Sequence, residues 1–504
     1  MLFLFTPLSR HTLTSTPFSH FSAAFTPNSY STLSLPLHFH FTPLQRPFHT
    51  PSFTSTPTTA PPLHQHTQTC YTSPMEQKYI ETTLELIDFI QDSPTSFHVV
   101  ANAADMLQNA GATHLDEKSP YQLAAGNCYY VTRNSSSLIA FRLPCTPATG
   151  LSIISAHTDS PTFKIKPNPE ISTGNAYTTL NIESYGGGLF SPWFDRPLSI
   201  AGRALLLQND GLITEKLVNF DRNLCQIVNL CSHQNRDANN GYKYNVQKDL
   251  LPIIGLGNQI GQLRNMVADL LEVDPDSILD TELFLYNRMP GTIWGIDDQF
   301  FSSPKIDDLQ CAFSALKAFI NAPDSDTSKV QILALFDNEE VGSHTKQGAD
   351  SDFLTQTFQR IAYSLGWNFD QACSIQANSL MLSTDNGHSF HPNYPEKCDP
   401  TNRPLINGGI LIKYAGNQKY TTDAYSASKF ISILKAAAIP YQFYCNNSNV
   451  TGGSTLGNIS TAHLSIPTID IGAAQLAMHS PYETAGTQDT YSLTSGMQAF
   501  YKSN

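Results

Sequence analysis

Short apolar runs that stop at polar residues recur along this chain, with amphipathic stretches between them. Glu76–Ile90 sets Ile80, Leu84, Leu86, Ile87 and Ile90 among carboxylates, a spacing that predicts an amphipathic helix. Asp92-Ser93-Pro94 ends it, and Val99–Gln108 predicts a second helix. Tyr129–Thr132 and Leu138–Phe141 read as strands split by Arg133-Asn134-Ser135. Leu151–Ala156 runs into His157-Thr158-Asp159, and Val330–Phe336 into Asp337-Asn338-Glu339-Glu340. Ser379–Ser383 runs into Thr384-Asp385, and Ile466–Ile471 leads through Gly472 towards His479. Runs this short and apolar predict strands buried on both faces of a parallel or mixed sheet. Asp307–Ile320 predicts a helix with Leu309, Ala312, Phe313, Leu316 and Phe319 on one face and Asp307 or Asp308 as its cap. Strands alternating with helices give an α/β core, and ligands in such sheets gather beyond the carboxyl ends of the strands.

Between about Phe163 and Phe301 the texture changes. A glycine triplet (Gly186–Gly188), a turn-rich stretch (Asn235–Tyr242) and β-like runs at Ala204–Gln208 and Leu224–Leu230 predict a β-rich domain inserted into the first. The expected boundaries are 75–162 and 302–504 for the interrupted domain and 163–301 for the insertion. Residues 1–74 form a different segment. Through Met75 there is no Asp or Glu, the fixed cations are Arg10 and Arg46, and the rest is rich in Pro, His, Ser, Thr and Phe. That composition predicts disorder. It suits an organellar transit peptide, or a dispensable leader before a start at Met75. The expected location is cytoplasmic, or an organelle if the leader is a targeting signal.

Composition narrows the function classes. The 504 residues carry 29 Lys+Arg against 42 Asp+Glu, a net charge of −13, which leaves no basic excess for binding nucleic acid. No apolar run reaches the roughly 18 residues of a membrane-spanning helix. Nine scattered cysteines, with no Cys-x-x-Cys pair, suit free thiols better than a disulfide framework.

Singly, each polar strand-end residue has an ordinary explanation as a turn, a cap or a solvated carboxylate. Together His157, Asp307, Glu340, Asp385 and His479 form a mixed N/O donor set without thiolate, suited to hydrolytic zinc or a related divalent ion. Glu339 is then free to take a proton from the attacking water and pass it to a leaving amine. Asp159 is placed to hold the far nitrogen of His157.

These residues lie in long motifs: SAHTDSP (155–161), SYGGGLFSPWFDRPLSIAGR (184–203), SPKIDDLQ (303–310), FDNEEVGS (336–343), STDNGHSFHPNY (383–394) and QLAMHS (475–480). In them the chain resembles the aspartyl aminopeptidases among the di-zinc metallopeptidases, from about Met75 onward. The resemblance implies a mixed-sheet peptidase domain interrupted by a dimerisation domain, assembled as a homo-oligomeric dodecamer acting on peptides. It implies two Zn²⁺ per subunit: one on His157, Asp307 and Asp385, the other on Asp307, Glu340 and His479, with Glu339 as general base. By the same resemblance His233 reaches a neighbouring subunit's site, and Lys413 and Tyr420 line the substrate pocket, where a lysine would select an acidic N-terminal residue. Asn386-Gly387 and Ala473-Ala474 depart from the pattern, the latter standing where Ser-Pro is common. Rival readings are an aminopeptidase preferring neutral residues, a related amidohydrolase, and a catalytically silent assembly protein of the same fold.

Overall fold

The computed structural model describes residues 73–322, 327–450, 452–453 and 455–503. Residues 1–72 lie outside these, and with them nearly all of the expected leader.

Nine strands form the central sheet. Their order is Thr113–His114, Cys128–Arg133, Ser137–Arg142, Lys329–Phe336, Gly150–His157, Leu380–Thr384, Thr468–Gly472, Ile410–Tyr414 and Tyr441–Cys445. The four central strands, from Lys329–Phe336 to Thr468–Gly472, are mutually parallel. Cys128–Arg133, Ser137–Arg142 and Lys329–Phe336 pair antiparallel, and Ile410–Tyr414 returns antiparallel to Thr468–Gly472. Alternate residues of a central strand enter different cores. Leu151 and Ile153 pack with Phe353, Phe358 and Ile361 on one face. Ile154 and Ala156 pack with Leu309, Phe313, Leu316, Phe430 and Phe500 on the other. Burial on both faces is why these strands read as continuous apolar runs rather than as alternation.

The helices are amphipathic. Pro74–Gln91 starts at a capping box between Ser73 and Glu76 and buries Leu86, Ile87 and Ile90. Ser96–Asn109 and Ile306–Ile320 share that core. Among the described residues no helix is long and apolar enough to cross a membrane.

Residues 162–287 build a second sheet of six strands, ordered Ile213–Asn219, Leu198–Leu207, Ile278–Asn287, Thr162–Thr173, Tyr177–Tyr185 and Ile253–Leu256. It has its own core around Phe163, Trp193, Ile200, Val267 and Leu285. The run at Leu224–Leu230 is not a strand: it makes only isolated bridges at Cys225, Gln226 and Ile227. The hairpin of Thr292–Trp294 and Phe300–Ser303 leaves this sheet and pairs with Glu483–Gly486 in a five-stranded sheet beside the central one.

Candidate metal centre

Sheet register brings the first two groups together. His157 lies opposite Phe336, while Ser155 lies opposite Ser383, so His157 and Asp385 lie at matching ends of adjacent parallel strands. The His157 Nε2 is 4.0 Å from Asp385 Oδ1 and 3.5 Å from Asp307 Oδ1. Its Nδ1 faces the Asp159 carbonyl at 3.0 Å, which leaves Nε2 as the free lone pair.

Asp307 does not cap its helix. The backbone enters through Lys305 at φ 55°, and Asp307 and Asp308 hold non-helical angles across a cis peptide bond, with no side-chain cap. The reason is a better set of partners. Asp307 N–H donates to Glu483 Oε2 at 2.9 Å, its carbonyl accepts from Ser160 Oγ at 2.8 Å, and Asp308 Oδ2 accepts from His157 N–H at 3.2 Å. The Asp307 carboxylate thereby lies between two histidines, with His479 Nε2 3.3 Å from Oδ2. His479 is also 3.6 Å from Glu340 Oε2. It sits in a turn at φ 68°, not at a helix start. Its N–H donates to Glu483 Oε1 at 2.6 Å, and its Nδ1 meets the Gly187 carbonyl at 2.6 Å. Of the glycine triplet, Gly186 is the position that favours glycine: it holds φ 75°, and a Cβ there would lie 3.1 Å from that of Glu340.

Glu339 and Glu340 occupy a short 3₁₀ turn entered through Asn338 at φ 64°. Asp159 fixes that turn. Its carboxylate accepts from Glu339 N–H and Glu340 N–H, both at 3.1 Å, and from Tyr185 O–H at 2.8 Å. As expected, Asp159 also faces the far nitrogen of His157, its carbonyl 3.0 Å and its carboxylate 3.4 Å from Nδ1.

All five expected donors and Glu339 therefore converge. Ligand atoms within 4.8 Å of one another form three groups: His157, Asp307, Asp308 and Asp385; Asp307, Glu340 and His479; and His157, Glu339 and Glu340. Asp307 belongs to two of them. Buried oxygens of Asp307, Asp308 and Glu340 lack hydrogen-bond partners, a costly state that a cation would relieve. Burial pushes Glu339 up to about 8, with Asp385, Asp159 and Asp307 adding to the rise and His157 opposing it. Burial and the Asp307 charge raise Glu340 well above the ordinary range. Burial works against ionisation of Asp307, but its two histidines outweigh it and hold the carboxyl low. The donor chemistry and the orphaned oxygens fit a pair of divalent ions.

The expected substrate residues fall differently. Lys413 is 1% exposed and its ammonium meets Asp385 Oδ2 at 3.2 Å and the Asn386 carbonyl at 2.9 Å. It neutralises a candidate ligand rather than presenting a free cation. Tyr420 is buried, its ring centroid 5.3 Å from that ammonium. His233 lies in an exposed loop and is not among the converging groups. Glu483, Tyr185, Asp308 and Asn386 were not singled out as site residues by the sequence. Glu483 is the clearest: one buried carboxylate fixes the backbones of both Asp307 and His479. Its position, four residues beyond His479, was the only available signal.

The chain matches the family model described as aminopeptidase I zinc metalloprotease (M18) over residues 89–501. It is 44% identical over 429 residues to a probable M18 family aminopeptidase 2 of Clostridium acetobutylicum, covering 84% of this chain and 99% of that one. A counterpart from Pseudomonas aeruginosa (strain UCBPP-PA14) is 40% identical over 427 residues, covering 83% and 97%. Among solved structures, a chain of the Ape4 and Nbr1 complex superposes with a TM-score of 0.82 at 33% identity, covering 85% of this chain and 87% of that one. The S. cerevisiae mApe1 dodecamer gives 0.75 at 28% identity, covering 84% and 97%.

Proposed function

The chain belongs to the aminopeptidase I zinc metalloprotease family, and from that premise we propose that it releases N-terminal Asp or Glu from peptides, using two zinc ions per subunit. The observation that carries the two-ion reading is the double role of Asp307. Its Oδ1 faces His157 at 3.5 Å and its Oδ2 faces His479 at 3.3 Å, as a bridging carboxylate requires. His157 and Asp385 complete one ligand set; Glu340 and His479 complete the other. Bound zinc would supply Lewis acidity to the scissile carbonyl and to the attacking water.

The remaining work belongs to the chain. Glu339 is not needed as a ligand and is free to accept a proton from the attacking water and return it to the leaving amine. Asp159 and Tyr185 aim it by fixing its turn. Lys413 opposes the rise that burial imposes on the Asp385 carboxyl.

Acidic preference, if not from Lys413, needs another cationic wall. A cavity near the centre is lined by His388, His391 and Lys397 together with Tyr444 and Asn446, and no carboxylate lines it. Lys397 supplies the cation of that wall, and burial lowers His388 so that it serves as a neutral hydrogen-bonding imidazole. With no carboxylate among the described lining residues, the wall favours an acidic side chain. The mApe1 neighbour is a dodecamer. Leu212, Ile213 and Leu217, exposed along the edge strand Ile213–Asn219 and the turn before it, support assembly of this chain into a homo-oligomer too.

Two assays test the reading together. Glu339→Gln should fold, retain two zinc ions and lose kcat by on the order of 10³-fold or more. Asp- and Glu-initiated peptides should exceed Leu-initiated ones in kcat/KM. Substantial turnover by Glu339→Gln would remove that residue from its role, and equal turnover of all three peptides would leave an aminopeptidase without acidic selectivity.

A further inference from the structure

Asn386, next to the ligand Asp385, is fully buried and uses its whole amide. Its Nδ2 donates to Gln475 Oε1 at 2.8 Å, to Gln310 Oε1 at 3.0 Å and to the Ile306 carbonyl at 3.3 Å. Its Oδ1 accepts from Ala473 N–H at 3.0 Å and from Cys311 Sγ at 3.3 Å. Gln475 carries the connection onward: its Nε2 lies 3.4 Å from Glu483 Oε1. Glu483 then receives the N–H groups of His479 and Asp307. On its other side, the Asn386 carbonyl and Asp385 Oδ2 share the Lys413 ammonium.

These bonds form one buried, continuous chain from Asp385 through Asn386, Gln475 and Glu483 to both Asp307 and His479. Asp385 belongs to one half of the centre, His479 to the other, and Asp307 to both. Asn386 and Ala473, which depart from the resembled motif, meet here in a direct hydrogen bond.

We infer that Asn386 is a positioning residue that couples the two metal half-sites through Gln475 and Glu483, so that filling one half orders the ligands of the other. The inference rests on the two-zinc reading above. A buried amide tying segments distant in sequence is costly to leave half-satisfied and has one low-energy arrangement when complete. Outer partners of metal ligands of this kind set affinity by about 10- to 100-fold. Asn386 itself is not one of the convergent donors.

Zinc titration of the metal-free full-length chain by chelator competition tests this, on wild type, Asn386→Leu and Gln475→Met. The second variant breaks the same chain one link on and leaves the neighbour of Asp385 intact. Wild type should take up two ions with the second bound at least as readily as the first. Each variant should keep its far-ultraviolet circular dichroism yet bind the second ion about 10- to 100-fold more weakly, with kcat falling more than KM rises. Variants that fold and keep both wild-type dissociation constants would overturn the inference. Hydrogen exchange on wild type gives an answer even if both variants misfold: residues 305–311 and 473–483 should gain protection together at one zinc concentration, and separate protection would overturn the coupling. A wild type that binds fewer than two ions would instead defeat the two-zinc reading.

Discussion

Asp489 opens the Asp489–Lys502 helix fully buried, its oxygens accepting from Asn407 N–H at 2.7 Å and Gly409 N–H at 3.0 Å. Burial outweighs those two bonds and raises its carboxyl to about 7. A carboxyl whose folded value lies above its unfolded value contributes stability that is complete below the unfolded value and lost as pH rises through the folded one. From about pH 4 to pH 7 the native state should therefore lose on the order of 4 kcal/mol through this group. Asp489→Asn removes the titration but turns one amide N–H against a backbone donor. Its stability deficit relative to wild type should be largest near pH 4 and shrink towards pH 8, as read by urea midpoints of the metal-free protein. A deficit independent of pH would mean that Asp489 titrates as an exposed carboxyl. Residue identity alone does not reveal such roles. Four of the five convergent donors were legible because each follows an apolar run or opens a helix. His479 stands in a turn seven residues beyond the end of Thr468–Gly472, and only its place in QLAMHS marked it. Lys413, Glu483 and the hold of Asp159 on the Glu339–Glu340 turn were misread or missed because a carboxylate or ammonium declares its charge in sequence but not all its partners. Lys413 looked like a free cation, and only the register of Ile410–Tyr414 against Thr468–Gly472 shows it directed at Asp385.

At the scale of elements, the apolar runs named the central strands to within about two residues, since a strand buried on both faces is mostly apolar throughout. Of the buried polar members, Gln331 is paired with Arg142 and Asp470 with Thr421. Sheet order was not legible. Gly150–His157 pairs with Lys329–Phe336, more than 170 residues later, and no local pattern encodes that choice. The bridges at Leu224–Leu230 show the converse, an apolar run serving a loop that packs on the second sheet. Close approach between elements gives a paired prediction. A Cβ on Gly472 would lie 1.9 Å from the Asp385 carbonyl, and one on Gly202 would lie 1.9 Å from the Glu282 carbonyl. Either methyl must force its neighbouring segment away, at about 1–3 kcal/mol. Gly472→Ala displaces the segment that carries a metal donor, whereas Gly202→Ala displaces two strands of the second sheet. Both variants should melt lower, but only Gly472→Ala should weaken zinc binding, by on the order of tenfold. Equal zinc affinities in the two would show that the strand end tolerates movement without consequence for the centre.

Across the whole molecule, the centre gathers side chains from segments far apart in the sequence that the sheet and its helices pack together. His157 and Asp385 come from the central sheet, Asp307 from the start of a helix, Glu340 from a turn and His479 from the loop between two short strands. Gly187 and Tyr185, on the margin of the second sheet, reach the same place through His479 and Asp159. With no cation present, Asp307, Asp308, Asp385, Glu339 and Glu340 crowd one buried volume, and their mutual repulsion opposes the fold at this junction. Zinc that binds only the folded state stabilises it by about 2.7 kcal/mol at a free concentration 100 times its dissociation constant. Removing the metal with a chelator, then dialysing the chelator away, should lower the melting temperature by several degrees. Restored zinc should reverse this, while magnesium should not, because two imidazoles in the donor set select against a hard cation. A melting temperature that stays put when elemental analysis shows the zinc gone would mean that the crowded carboxylates are neutralised by protons alone, and that the centre is held together by Glu483, Asp159 and Lys413 without help from the ions.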